Sequence, residues 1–540
     1  MARNRGLVFF LFYLGFAVQA FASDQFVVFF SDKQNNIYTL SEPQNFLTQK
    51  SIDRRLHHGI PITEEDLPVS NVYVDSLNTI AKVMFTSRWW NAALVSGDST
   101  ALNQALEWDF VMGYDYIAPA KETTGRSEKS GTQEAPKAEI SQIDNYTQNK
   151  MMGVVEMHEE GFRGENMLIA VFDSGFENVD TSPYFSHLIY ENKIISQKDF
   201  VGRQEDVFRY DTHGTKVLST MSAFADGEYA GVAYLADYVL CITEDVSSEY
   251  RIEEYNWLIA AEYADSLGVD VINSSVGYSY FDDGSMNYTY EDMDGETAVI
   301  TLAAEKASTK GMLVVTSVGN EGNNGWRYMN APADASNILS IGAVDADRNR
   351  ARFSSFGPTF DGRTKPELVA MGQSTLTIKD QVISTSNGTS FSSPLVAGLA
   401  ACFWQSQPQL TNLEVMDILK QTATNSESPN DSLGYGIPNY VLASGRQITG
   451  SDDYLSQKFT VYPNPVTGKK VYLAPVDIFV NRKIQFQLYD LQGKLYLEKM
   501  IEVAPHQDLL ELDLTNVGAG QYVLQCFDNS MVKEVKLVVL

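Results

Sequence analysis

The chain has 540 residues, 44% hydrophobic and 20% charged, which is ample for large cores and too long for one ordinary domain. Its 40 basic against 69 acidic side chains leave a formal charge of −29, spread along the sequence. That balance argues against nucleic acid and anionic membrane surfaces as partners and for a soluble acidic protein.

Met1–Ala22 reads as a targeting segment. Arg3 and Arg5 precede the apolar run Leu7–Val18, and Ala20-Phe21-Ala22 fits a small-residue cleavage site. The run is short for a membrane anchor, so secretion is expected. Residues 23–118 mix short strands and helices into a small α+β domain, with strands at Phe26–Phe30, Val83–Phe85 and Ala92–Val95. Residues 119–138, rich in Lys, Glu, Thr, Gly and Pro, read as an exposed linker and a processing region.

The texture changes across 139–447. Apolar runs at Met167–Phe172, Tyr238–Ile242, Val269–Asn273, Met312–Ser317 and Ile338–Val344 alternate with helical stretches near Thr215, at Ile252–Leu267 and at Ala298–Lys310. Such continuous apolar strands predict an α/β domain with a mostly parallel sheet covered by helices on both faces. A polar linker follows at 448–457. Residues 458–540 alternate apolar and polar positions, as in Ile484, Phe486, Leu488 and Leu510, Leu512, Leu514. With turns at Pro463-Asn464-Pro465, Gly493 and Gly518-Ala519-Gly520, they predict a small β-sandwich of immunoglobulin-like size. The cysteines, Cys241, Cys402 and Cys526, are scattered in apolar contexts and offer neither a disulfide framework nor a metal pattern.

Four positions carry chemistry. Asp173 closes an apolar strand before Ser174-Gly175, where a buried acid could orient a histidine; an Asx turn is the plain alternative. Among six histidines, His213 alone is followed by Gly214-Thr215, which let a backbone approach. Asn320, between glycines after Met312–Thr316, could donate to a developing oxyanion. Ser390 opens an apolar helix running from Leu395 to Trp404, where free N–H groups favour negative charge. Pro394 is expected within that helix's first turn, where a missing N–H costs least. Helix capping is the plain reading of Ser390.

In combination these segments resemble the subtilases, the subtilisin-like serine proteases. Asp173-Ser174-Gly175, His213-Gly214-Thr215 and Gly388-Thr389-Ser390 with Pro394 match that family's three motifs in its chain order. The resemblance implies a subtilisin-like α/β fold and a secreted serine endopeptidase. In it Ser390 is the nucleophile, His213 the base, Asp173 its orienting acid and Asn320 the oxyanion donor. Ser275, Val276 and Gly277 look like its substrate-binding strand. No metal or cofactor is required for catalysis. Residues 23–118 look like a subtilase propeptide, an inhibitor and chaperone of its own chain. The tail resembles a type IX secretion sorting domain through Tyr462–Pro465, Leu488–Lys494 and Gly518–Tyr522. The implied partners are protein or peptide substrates, the chain's own propeptide and the secretion machinery, with release or surface attachment after export.

Two rival readings are weighed. An α/β-hydrolase needs Gly-x-Ser-x-Gly and a histidine after the acid; Ser390 lacks the second glycine, and only His506 follows it. A catalytically inactive subtilase fold would serve as a surface or binding protein, yet all four chemical residues are present. The acidic loop Asp282–Asp294 reads as solvated surface charge; the resemblance makes a structural calcium ion the alternative, though the spacing fits no fixed loop pattern.

Overall fold

The computed structural model describes residues 23–120 and 145–445. In the tail it describes 460–462, 466, 468–474, 483–490, 494–502, 510–528 and 531–539. The targeting segment 1–22, most of the 119–138 linker, the 448–457 linker and the turns Pro463–Pro465 and Leu491–Gly493 lie outside the described residues. Two compact units result, divided between Gly445 and Arg446. No described helix is long and apolar enough to cross a membrane.

The first unit opens with β1 (Gln25–Phe30), α1 (Gln49–His58), α2 (Asn71–Leu77), β2 (Lys82–Ser87), β3 (Ala92–Ser96), α3 (Ser99–Ala105) and β4 (Val111–Ala118). The strands form an antiparallel sheet in the order β2-β3-β1-β4. The period of two divides its side chains between two cores. Phe26, Val28 and Phe30 pack with Tyr73, Leu77 and Leu102 under α2 and α3. Val27 and Leu94 face the opposite way, into a core shared with the segments that follow. β4 went unread in the sequence, because its exposed polar and aromatic positions break any apolar run.

Next come α4 (Tyr146–Lys150), α5 (Val154–Glu159), β5 (Leu168–Asp173), α6 (Ser186–Tyr190), β6 (Ile194–Asp199) and α7 (His213–Ser222). A small hairpin of β7 (Phe224–Ala225) and β8 (Tyr229–Ala230) precedes β9 (Asp237–Ile242), α8 (Ile252–Leu267), β10 (Val271–Ser274), α9 (Val299–Thr309), β11 (Leu313–Ser317), β12 (Leu339–Val344) and β13 (Leu368–Met371). A second hairpin, β14 (Thr375–Lys379) and β15 (Val382–Ser386), leads into α10 (Thr389–Ser406), α11 (Asn412–Gln421) and α12 (Tyr440–Ala443).

Seven of these strands form one parallel sheet in the order β13-β12-β11-β10-β5-β9-β6. Ile169 and Val171 of β5 pack toward α7 and α10, while Ala170 and Phe172 pack toward α8 and α9. Both faces of the sheet are therefore dry, which is why its strands read as unbroken apolar runs. α10 is buried along Thr389–Trp404, the all-round burial that its composition predicts.

The tail unit has a three-stranded sheet of β16 (Thr460–Tyr462), β17 (Lys470–Ala474) and β20 (Leu510–Asp513). It also has a four-stranded sheet of β18 (Lys483–Asp490), β19 (Leu495–Glu502), β21 (Gly520–Asp528) and β22 (Met531–Val539). Val471, Leu510 and Leu512 of the first sheet share one core with Phe486, Leu488, Leu524 and Leu537 of the second. Two antiparallel sheets closing over their alternate apolar faces make a sandwich.

Candidate active site

β5 runs through the sheet interior and ends on Asp173, whose side chain is wholly buried. A buried carboxylate needs donors, and this one gathers them on a single oxygen. Oδ1 accepts the Ser174 backbone N–H at 2.8 Å and lies 2.8 Å from His213 Nδ1. An ionised carboxylate can only accept, so the proton in the second contact belongs to Nδ1. The neutral ring then keeps its free lone pair on Nε2.

His213 is the first residue of α7. The turn after Asp173 and the start of α7 touch: a Cβ on Gly214 would fall 2.3 Å from the Gly175 carbonyl oxygen and 3.0 Å from Asp173 Cβ. Glycine at both positions admits this approach. The imidazole keeps 19% of its surface exposed, an edge for exchange with a ligand. Burial alone would lower its pKa. The charge and hydrogen bond of Asp173, helped by Asp211, outweigh burial and the opposing Lys216 and hold the pKa above its ordinary value.

Ser390 is the second residue of α10. The ring of its neighbour Phe391 lies 5.7 Å from the His213 ring, centroid to centroid. The Ser390 hydroxyl donates to the Ser275 carbonyl at 3.4 Å, a long hydrogen bond. Pro394 corrects the first-turn expectation: it is the sixth residue of α10, inside the helix. There its missing N–H strips the Ser390 carbonyl of its helical partner. The Ser275 hydroxyl supplies the replacement, donating to that carbonyl at 3.0 Å. Ser275 and Ser390 thus hold each other reciprocally across 115 positions of sequence. Ser275→Ala is expected to cost about 1–3 kcal/mol by orphaning a buried carbonyl. Urea unfolding measures it, and an unchanged midpoint would mean the carbonyl is satisfied otherwise.

Ser275, Val276 and Gly277 lie just beyond the end of β10 rather than inside it, and Tyr278 then bridges to Ala331. Asn320 follows β11. Its Oδ1 accepts the Thr389 N–H at 2.9 Å and the Thr389 hydroxyl at 3.1 Å. With the oxygen committed to the Thr389 donors, Nδ2 is the atom left to donate; it lies 3.8 Å from where a Cβ on Gly388, just before α10, would sit, and the residue is exposed. Asp173 and His213 are therefore in direct contact. Ser390, Ser275 and Asn320 surround the N-terminus of α10.

Some contributors escaped the sequence reading. Asp211 Oδ1 accepts the His213 N–H at 3.0 Å, and Asp211 Oδ2 accepts the Ser174 hydroxyl at 2.9 Å. An acid two residues before a helix-opening residue is a turn signal that could have flagged the first contact. Glu321, next to Asn320, accepts the Ser355 hydroxyl at 3.0 Å and Asn330 Nδ2 at 3.2 Å; burial raises its carboxyl pKa. No local pattern announces that pair. In the acidic loop, Asp283 accepts Ser285 N–H, Asp292 accepts Thr289 N–H, and Asp294 accepts the Glu296 and Thr297 N–H groups. Those carboxylates cap turns of their own loop.

The Subtilase family model matches residues 164–437. The S8 peptidase propeptide domain of Bacteroidota matches 25–135, and a secretion system C-terminal sorting domain matches 460–540. Subtilisin DY of Bacillus licheniformis is 30% identical over 284 residues, 52% of this chain and 91% of that protein. Subtilisin E of Bacillus subtilis is 30% identical over 272 residues, 50% of this chain and 63% of that protein. The solved structure of the epidermin leader peptide processing serine protease of Staphylococcus aureus has a TM-score of 0.52 at 17% identity. It covers 70% of this chain and 97% of that one, a likeness of fold. The sorting domain marks the protein for secretion and the cell surface. With the family match spanning the sheet and every site residue described above, the chain belongs to the subtilase family of serine proteases.

Proposed function

We propose that this protein is a secreted serine endopeptidase that matures its own precursor. Ser390 Oγ attacks a peptide carbonyl while His213 Nε2 takes its proton, and the imidazolium then delivers that proton to the leaving amine. Water, deprotonated by the same ring, releases the acyl group and restores Ser390. Asp173 holds the ring's tautomer and stabilises its charged form. Asn320 Nδ2 and the Ser390 backbone N–H stabilise the oxyanion at a helix N-terminus. Ser275, Val276 and Gly277 pair with the substrate backbone. The reading rests above all on the 2.8 Å contact between buried Asp173 and His213 beside the start of α10. Hydrogen bonds to the nucleophile are often long without substrate and tighten when it binds. We assign residues 23–118 as the propeptide, 119–138 as the linker cut in maturation, 139–447 as the catalytic domain, 448–457 as a linker and 458–540 as the tail recognised by type IX secretion machinery.

A fluorophosphonate probe tests this reading. It should label Ser390, and labelling rate and peptide hydrolysis should fall together on acidification. The sign follows from the imidazole: its pKa is held above the ordinary value, and only the neutral ring accepts the serine proton. The acid limb is therefore expected above pH ~6.5. Absent labelling, or a rate flat between roughly pH 5 and 8, would defeat the assignment of Ser390 or His213.

A further inference from the structure

Two carboxylates converge on His213, and the triad accounts for only one of them. Asp211 grips the His213 backbone N–H with Oδ1 at 3.0 Å and takes the Ser174 hydroxyl on Oδ2 at 2.9 Å. That same hydroxyl lies 3.2 Å from Asp173 Oδ1, so one O–H is shared between the two acids. The Asp211 main chain is pinned as well. Its carbonyl accepts the Glu177 N–H at 3.1 Å, and a Cβ on Gly175 would fall 2.7 Å from its nitrogen. The adjacent arginine does not draw it away: Arg209 pairs with Asp206 at 3.2 Å and lies over the Tyr210 ring.

We propose that Asp211 is a positioning residue of the proton relay, clamping the His213 backbone directly and tying it to Asp173 through the Ser174 hydroxyl. The proposal rests on reading Asp173, His213 and Ser390 as the triad. Without the clamp, the start of α7 is joined to the segment after β5 by the Asp173–imidazole contact, the Gly175–Gly214 approach, the Glu177 N–H on the Asp211 carbonyl and the Thr215 hydroxyl on the Glu177 carbonyl at 2.7 Å; none of the last three fixes the ring itself. The ring can then tilt about its bond to Asp173, which alters the approach of Nε2 to Ser390 that the proposed mechanism requires. Misplacements of this size cost turnover more than binding, because the substrate backbone is held elsewhere. Asp211 also acts by charge. The charged groups facing the ring are Asp173, Asp211 and Lys216, the two acids favouring imidazolium and the lysine opposing it.

Asp211→Asn separates these effects in the matured full chain. The asparagine oxygen still accepts the His213 N–H, while its amide arm cannot accept the Ser174 hydroxyl. With one negative charge gone, the acid limb of kcat/KM is expected to move down by about half a pH unit. On the alkaline side of that limb, kcat is expected to fall about tenfold with KM within twofold. Ser174→Ala removes the bridge and keeps the charge, so it should lower kcat and leave the acid limb in place. It also provides the test if Asp211 variants fail to fold. Wild-type kcat and an unmoved limb in Asp211→Asn, or wild-type kcat in Ser174→Ala, would overturn the positioning role. In either case an active, labelled wild-type enzyme would leave the triad reading standing. An inert wild type, unlabelled at Ser390, would remove both.

Discussion

Ser390→Ala is expected to abolish peptide hydrolysis and to leave the precursor uncut between Pro119 and Lys137 when purified without other proteases. In subtilisin, loss of the equivalent serine or histidine costs roughly 2 × 10⁶ in turnover, a value measured for that relative rather than deduced from this geometry. The reason transfers. On the proposed mechanism Asp173, His213 and Ser390 act as one unit, so once one member is gone the others have nothing to work on. It follows that His213→Ala should be as severe as Ser390→Ala, and the double variant no worse than either single one. Turnover measured on all three, with mass spectrometry of the chain termini, decides the matter. A normally trimmed Ser390→Ala chain would sink self-processing. Singles whose losses multiply in the double variant would sink the single relay.

What could be read from the sequence was whatever the chain encodes locally. β5, β9, β10, β11 and β12 announced themselves because each is buried on both faces and so must be apolar throughout. β6 did not. Among the described strands it is the sheet edge, next to β9, and its Ser196, Gln197 and Lys198 reflect that half-exposed place. β13 is four residues long and follows Pro366. The β14–β15 hairpin turns through Asp380 and Gln381, both at positive φ, without the Asn-Gly or Asp-Gly pair that signals such a turn. At the site, Asp173, His213, Asn320 and Ser390 each sit in a short motif with a local reason for its glycines. What their neighbours do was illegible, because it depends on distant loops meeting. Ser275 finds Ser390 only when β10 and α10 pack together, and Asp211 finds Ser174 only when two turns interlock through Gly175 and Gly214.

The largest effect away from the catalytic residues is expected at Asp265, on the face of α8 turned toward the N-terminal segment. This carboxylate is fully buried and holds Arg54 at 2.5 Å, Arg55 at 2.7 Å and Arg88 at 2.5 Å. All three arginines come from residues 23–120, and Arg55 also pairs with Asp66 at 3.1 Å. Around them Glu262 accepts the Ser87 hydroxyl and the Arg88 N–H, Lys50 reaches Asp270, and Lys306 and Lys310 hold Glu65. The segment is thus fixed to the catalytic domain by desolvated charge as well as by the apolar contacts of Val27 and Leu94. Asp265→Ala would take the ion-pair partner from the largely buried Arg54 and Arg88 and leave Arg55 to Asp66 alone. Breaking a buried pair by removing one partner costs about 3–5 kcal/mol, or roughly 10²- to 10⁴-fold in association of the segment. The side chain's ion pairs all cross to residues 23–120, so the loss should appear in the uncut precursor and vanish after that segment is gone. Urea unfolding of Asp265→Ala in the Ser390→Ala background, compared with the same substitution in the matured enzyme, tests this. Equal losses in both forms would show that Asp265 serves the catalytic domain's own fold, and an unchanged precursor would show that the arginines find other partners.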